Sequence, residues 1–200
     1  MLIKEAIAIT GGLSKPSKMP GPAYNLPASQ CITGQKLVKV PGSTCAGCYA
    51  LKGRYRFGNV QKALNRRLKS LEDPRWVTGM ITLIQGRPVF RWHDSGDIQS
   101  AQHLKNILEV CKQTPDTQHW LPTRESRLLA LMDPDVVPKN LRIRLSATKV
   151  NGAAGKSWPW TSTVTDGKDK TCPAPDQGGK CKSCRQCWDR SIQNVQYAKH

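Results

Sequence analysis

The sequence predicts an α/β protein built on a small parallel sheet, open or curled into a reduced TIM-barrel-like domain, with a Cys-rich, metal-organised C-terminal tail. Two observations carry that expectation. Three short apolar runs, residues 88–92, 119–122 and 141–145, each pass into a polar cluster, and two helical stretches follow among them. Beyond residue 148 the pattern gives way to Gly, Ser, Pro and Lys, with four cysteines and few apolar anchors besides Trp158 and Trp160. Such a tail cannot bury enough surface to fold alone, so a metal centre would organise it.

Taken in order, residues 2–9 alternate enough to read as a strand, and the Gly, Pro and Ser-rich residues 11–29 read as a long surface loop. From Asn59, a suitable N-cap, Val60, Ala63, Leu64, Leu68 and Leu71 share one helical face while Lys62, Arg66, Arg67 and Lys69 fall largely off it. A second helix follows Pro74. Helices then fit residues 99–112, capped near Ser100, and residues 125–132. The 200 residues suit one domain, with an α/β core over 1–150 and the cluster-binding tail, 151–200, packed on it.

The net charge of +17 is uneven. Residues 1–70 hold twelve Lys/Arg against one acid and residues 141–200 hold eleven against four, while residues 71–140 are nearly balanced. Self-repulsion of this kind is relieved by a polyanion, so the expected partner is nucleic acid, DNA ahead of RNA. Arg54, Arg66, Arg67, Arg91 and Arg144 are candidate contacts. No run approaches the roughly 18 apolar residues of a membrane span, and residues 1–10 lack a signal peptide's charge order, so a cytoplasmic protein is expected. Oligomeric state is not legible.

Eight cysteines without a secretory context argue for metal rather than disulfides. Cys181, Cys184 and Cys187 stand at successive spacings of three, with Cys172 upstream, which suits a loop wrapped around a [4Fe-4S] cluster. Zinc accepts the same four thiolates. Cys31, Cys45 and Cys48 form a second group that completes the same centre, builds another, or stays reduced. The CxxxCxxC run of radical-SAM enzymes is absent, since thirteen residues separate Cys31 from Cys45. Cys111, beside Leu104, Ile107 and Leu108 on a helical pattern, reads as core.

Thr44-Cys45-Ala46-Gly47-Cys48-Tyr49-Ala50 with Gly53-Arg54-Tyr55, the element His93-Asp94-Ser95-Gly96-Asp97, and Cys181-x-x-Cys184-x-x-Cys187-Trp188 followed by Val195, Tyr197 and His200 resemble, in that order, the gene product eighty-eight family of bacteriophage proteins. The resemblance implies a compact barrel-like α/β fold, an iron-sulfur centre and nucleic-acid cleavage in a bacterial cytoplasm.

In parallel α/β folds ligands gather at the carboxyl ends of the strands, where the polar clusters would meet. His93, Asp94 and Asp97 offer an imidazole and two carboxylates suited to Mg or Mn, with His119 and Glu125 in reach of the same rim. Arg91, Arg124, Arg144 and Lys149 could then hold a phosphate. Against this, Asp97 has the position of a helix cap, and Arg142 suits the wet face of an edge strand. Trp92, Trp120, Trp158 and Trp160 are expected to be core, with at most one free to stack a base. Three functions follow: a metal-dependent nuclease, a nucleic-acid-binding regulator with a structural or redox-sensing cluster, or a radical or redox enzyme with an open iron. A buried hydrogen-bond network around His93, Asp94 and Asp97 would favour the second. No GxGxxG or P-loop pattern supports a nucleotide cofactor.

Overall fold

The computed structural model describes residues 1–199. Six strands form one parallel sheet in strict chain order: β1 (Ala23–Tyr24), β2 (Val89–Trp92), β3 (Gln118–Thr123), β4 (Leu141–Val150), β5 (Thr161–Thr165) and β6 (Asn194–Ala198). Every strand lies beside its sequence neighbour, so the sheet lacks the reversal of order that marks a doubly wound fold.

The helices are α1 (Ile3–Thr10), α2 (Ile32–Leu37), α3 (Gly58–Ser70), α4 (Trp76–Ile84), α5 (Ala101–Gln113) and the single turn α6 (Ser126–Leu129). Ser100 caps α5 by accepting the His103 N–H at 3.0 Å, as expected. The helix expected from Asn59 begins one residue earlier, and Asn59 takes only the Val60 N–H. The helix expected over 125–132 is limited to α6.

Three expectations need correction. The strand expected over residues 2–9 is instead the helix α1, because Ala6, Ile9 and Thr10 bury at helical spacing against α4. Within the expected surface loop of residues 11–29, residues 23–28 are buried and supply β1. The tail is not devoid of regular structure, since residues 161–165 and 194–198 extend the sheet by two strands.

Alternation along the strands gives the sheet two different faces. Phe90, Trp92, Leu121, Ile143 and Leu145 lie in the core that Trp76, Met80, Ile84, Ile107, Val110 and Cys111 of α4 and α5 complete. Cys111 is fully buried there, as the sequence suggested. Val89, Trp120 and Val195 face the other way, into a cluster with Cys187 and Trp188, so that the segment between β5 and β6 covers this side. Arg144 holds that cover down. Its Nε donates to Cys187 O at 3.0 Å, Nη1 to Ile192 O at 3.0 Å and Nη2 to Gln186 O at 2.8 Å and Asp189 O at 3.0 Å, with further Nη1 bonds to Thr161 O and Gln193 O. Trp188 adds a bond from Nε1 to Phe90 O at 3.0 Å.

Candidate functional site

Asp97 is 5% exposed and knits two strand ends together. Its Oδ1 accepts from the Ile98 N–H at 2.8 Å and the Thr123 hydroxyl at 2.6 Å, and its Oδ2 from the Arg124 N–H at 2.9 Å. Burial raises its pKa to about 6 against the lowering effect of those bonds. Within this loop Gly96 has φ 82°, and a Cβ there would stand 2.8 Å from Leu26 O, so only glycine fits both demands.

His93 turns elsewhere. Alternation after Trp92 would send it to the tail side, but its φ of 56° breaks the extended run and brings its ring 5.3 Å from that of His103 on α5. It is 2% exposed, neither ring nitrogen has a hydrogen-bond partner among the described residues, and burial lowers its pKa well below the usual value. Asp94 takes a third direction: Oδ1 pairs with Arg91 Nη1 at 3.0 Å, Oδ2 accepts from the Tyr55 hydroxyl at 2.7 Å, and its carbonyl accepts from the Tyr49 hydroxyl. His93, Asp94 and Asp97 therefore face three separate sets of partners. Among the described residues no group of three or more His, Cys, Asp or Glu side chains stands close enough to hold a single metal ion.

The expected rim partners are also engaged. His119 Nε2 pairs with the Thr114 hydroxyl at 2.9 Å below the sheet's helical face, and its ring stacks on Trp92 at 6.0 Å. Glu125, 4% exposed, accepts from Thr33 N–H at 2.9 Å and Thr33 Oγ1 at 2.8 Å, clamping the first turn of α2. Arg124 Nε donates to Thr44 Oγ1 at 3.1 Å. Lys149 is exposed.

Several arginines take structural positions instead of the phosphate contacts expected of them. Arg144 is fully buried and bonded to carbonyls, Arg67 is 6% exposed and donates to Gly12 O at 2.7 Å, and Arg91 lies over the Trp120 ring at 4.3 Å. Arg142 is buried over Trp160 at 4.5 Å rather than on a wet edge. Arg54 and Arg66 remain exposed. Trp92, Trp120, Trp158 and Trp160 are all buried, so none of these four is a free stacking platform.

The cysteines fall into two sets. Cys172, Cys181, Cys184 and Cys187 lie in the cover between β5 and β6, the other three each within electrostatic reach of Cys172. Cys187 Sγ stands 3.1 Å from the Tyr197 hydroxyl, and burial pushes its thiol up to about 12. Cys181 N–H donates to Lys18 O at 3.0 Å and Cys184 N–H to Cys181 O at 2.9 Å, which fixes the loop that presents them. Cys31, Cys45 and Cys48 lie at the opposite kind of place, above the carboxyl ends of the strands, near Arg124 and Asp97. Sequence reasoning missed the groups that build both surroundings: Thr33, Tyr49, Tyr55, Thr123 and Tyr197. Only Tyr49, Tyr55 and Tyr197 had a signal, their places within the family motifs, whereas His200 lies outside the described residues.

A family model described as Gene product 88 matches residues 3–190. No curated protein and no solved structure matches the chain. No helix among the described residues is long and apolar enough to cross a membrane.

Proposed function

Because the chain belongs to the gene product 88 family, we propose that it is a bacteriophage iron-sulfur protein that binds nucleic acid in the infected cell, with a [4Fe-4S] cluster on Cys172, Cys181, Cys184 and Cys187. The observation that carries this reading is the gathering of those four thiols on one short cover, with few apolar residues of its own, across the sheet face opposite the helices. Iron-sulfur is favoured over zinc by the successive spacing of Cys181, Cys184 and Cys187 with Cys172 upstream, since zinc sites more often pair two separate CxxC knuckles. The strict chain order of the strands supports a sheet curled into a reduced barrel around the cover.

Nucleic acid is the partner suggested by the net charge of +17 and by the exposed Arg54, Arg56, Lys62, Arg66 and Lys69 on and before α3. Duplex DNA is the first ligand to test. Binding is favoured over hydrolysis, since Asp97 and His93 are consumed inside the protein and Asp94 is held by Arg91 and Tyr55. The nuclease remains the second reading, resting on the accessibility of Lys149 and on Mg or Mn drawing Asp94 from its partners.

Anaerobically purified protein should be brown, and Cys184→Ser should lose about four irons per chain. Zinc without iron in the wild type would overturn the cluster. Binding to duplex DNA should weaken as salt rises, with a slope of roughly 0.9 per phosphate contacted. Salt-independent or absent binding would remove nucleic acid as the partner. Cleavage of plasmid with Mg²⁺ or Mn²⁺ that vanishes in Asp94→Asn would replace the binding reading with the nuclease.

A further inference from the structure

The connection from β1 to α3 carries the other three thiols, and it is pinned above the sheet at four points. Glu125 clamps Thr33 through two bonds, Thr44 N–H donates to Thr148 O at 2.9 Å, Thr44 Oγ1 donates to Ala147 O at 3.1 Å, and Ser43 forms an antiparallel bridge with Lys149. These contacts fix the loop over the ends of β3 and β4, where parallel α/β proteins bind their ligands.

Gly34 shows how the thiols are arranged. A Cβ at this position would stand 2.8 Å from Cys31 Cβ, 3.6 Å from Cys31 Sγ and 3.9 Å from Cys45 Sγ. A side chain here would thus fill the ground that the two sulfurs share. Cys48 joins them through a tight turn, its N–H donating to Cys45 O at 3.1 Å. Arg124 supplies a cation beside Cys31 and Cys45, suited to offset thiolate charge. A cavity of about 230 Å³ adjoins the loop, lined by Ala28, Ser29, Ala50, Leu51, Arg56 and Gln61, the first two just before Cys31 and the next two just after Cys48. The remaining cysteines have other surroundings, Cys111 in the core and four in the cover, so the group has three thiols and no fourth.

We propose that Cys31, Cys45 and Cys48 hold a second iron-sulfur cluster, separate from that of the tail, in which one iron lacks a protein thiolate and takes a small carboxylate ligand from the cavity bordered by Arg56 and Gln61. The inference deepens the iron-sulfur reading and rests on it only for the chain being loaded with clusters. Three protein ligands and an open position are what separate a reactive metal centre from a structural one. The tail provides the closed site and the loop the open one.

The test uses the full chain reconstituted anaerobically with ferrous iron and sulfide. Wild type should carry about eight irons, and Cys45→Ser and Cys48→Ser about four each, as should Cys184→Ser. Brief oxidation should give the electron paramagnetic resonance signal of a three-iron cluster in wild type and Cys184→Ser but not in Cys45→Ser, because an iron without a thiolate leaves first. Citrate should shift the spectrum of reduced Cys184→Ser and leave that of Cys45→Ser unchanged. Gly34→Val, which keeps every thiol, should lose the same irons as Cys45→Ser, so a folding defect confined to one cysteine variant cannot imitate the result. About four irons in wild type, all lost in Cys184→Ser and none in Cys45→Ser, would overturn the second cluster and leave the tail cluster standing. The reverse pattern would overturn the tail reading alone. A citrate response that persists in Cys45→Ser would overturn the open iron.

Discussion

On its helical side the sheet is covered by apolar packing, with Phe90, Trp92, Leu121, Ile143 and Leu145 against α4 and α5, whereas the opposite side is covered by a segment with few apolar residues, held by directional bonds. Five of those bonds come from one buried guanidinium, that of Arg144. Dispersed apolar contacts tolerate the loss of a single member, while a cover hung on one cation does not. The comparison teaches that the thiol-bearing face depends on few residues and is the easier of the two to detach.

The largest effect should come from breaking that one cation. Arg144→Met should destabilise by about 3–5 kcal/mol, since it leaves buried carbonyls without a donor. Limited proteolysis should then cut first within residues 166–193 while α4 and α5 stay protected. Cuts spread evenly over the chain would show that the two faces unfold as one. On the helical side, Leu121→Ala should cost about 2–4 kcal/mol in a urea melt, and it should leave the order of cutting unchanged.

Acid should strain the helical face selectively. Burial lowers His103 to about 4 and His119 to about 3, both below the ordinary value of 6.5. Stability from keeping them neutral is present above pH 6.5 and is lost as pH falls through those folded values, because the unfolded chain takes up the protons first. Asp97 works in the other direction: its pKa is raised to about 6, so its contribution is fully present below the ordinary 3.8 and is lost as pH rises through 6. Between pH 6 and 4 the two histidines outweigh the one carboxyl. His119→Gln should therefore flatten the acid loss by roughly 1.4 kcal/mol per pH unit relative to wild type. Equal slopes in urea melts across that range would show that His119 is not held neutral.

The smallest effect is expected at Cys111, fully buried on the helical side. Cys111→Ala should cost about 1 kcal/mol and leave the iron content unchanged. Loss of iron in this variant would erase the separation between the two faces.

Residues 88–92, 119–122 and 141–145 were legible as strands because apolar residues there meet a polar stop, although β4 continues through the expected polar cluster to Val150. Residues 161–165 and 194–198 were not, since strands running Thr-Ser-Thr-Val-Thr and Asn-Val-Gln-Tyr-Ala take their neighbours from a bonded cover rather than an oily core. Residues 3–10 misled because Ile and Ala recur at spacings that suit either period, and only packing on α4 decides between them. The rim position of His93, Asp94 and Asp97 was legible, but their roles were not. A single left-handed residue at His93 and the backbone donors around Asp97 decide where those side chains point.

The connection between β5 and β6 spans residues 166–193 and contains no α-helix, although parallel neighbours are ordinarily joined through one. Before β6 docks, β5 presents an open row of backbone donors and acceptors, the template on which chains aggregate. Closing that edge means ordering a long segment with little local structure to guide it, at an entropic cost that a regular helix would have shared. If the proposed tail cluster is what orders this segment, sheet closure depends on it, and chains produced under iron limitation should collect as edge-paired aggregates rather than as well-folded apoprotein.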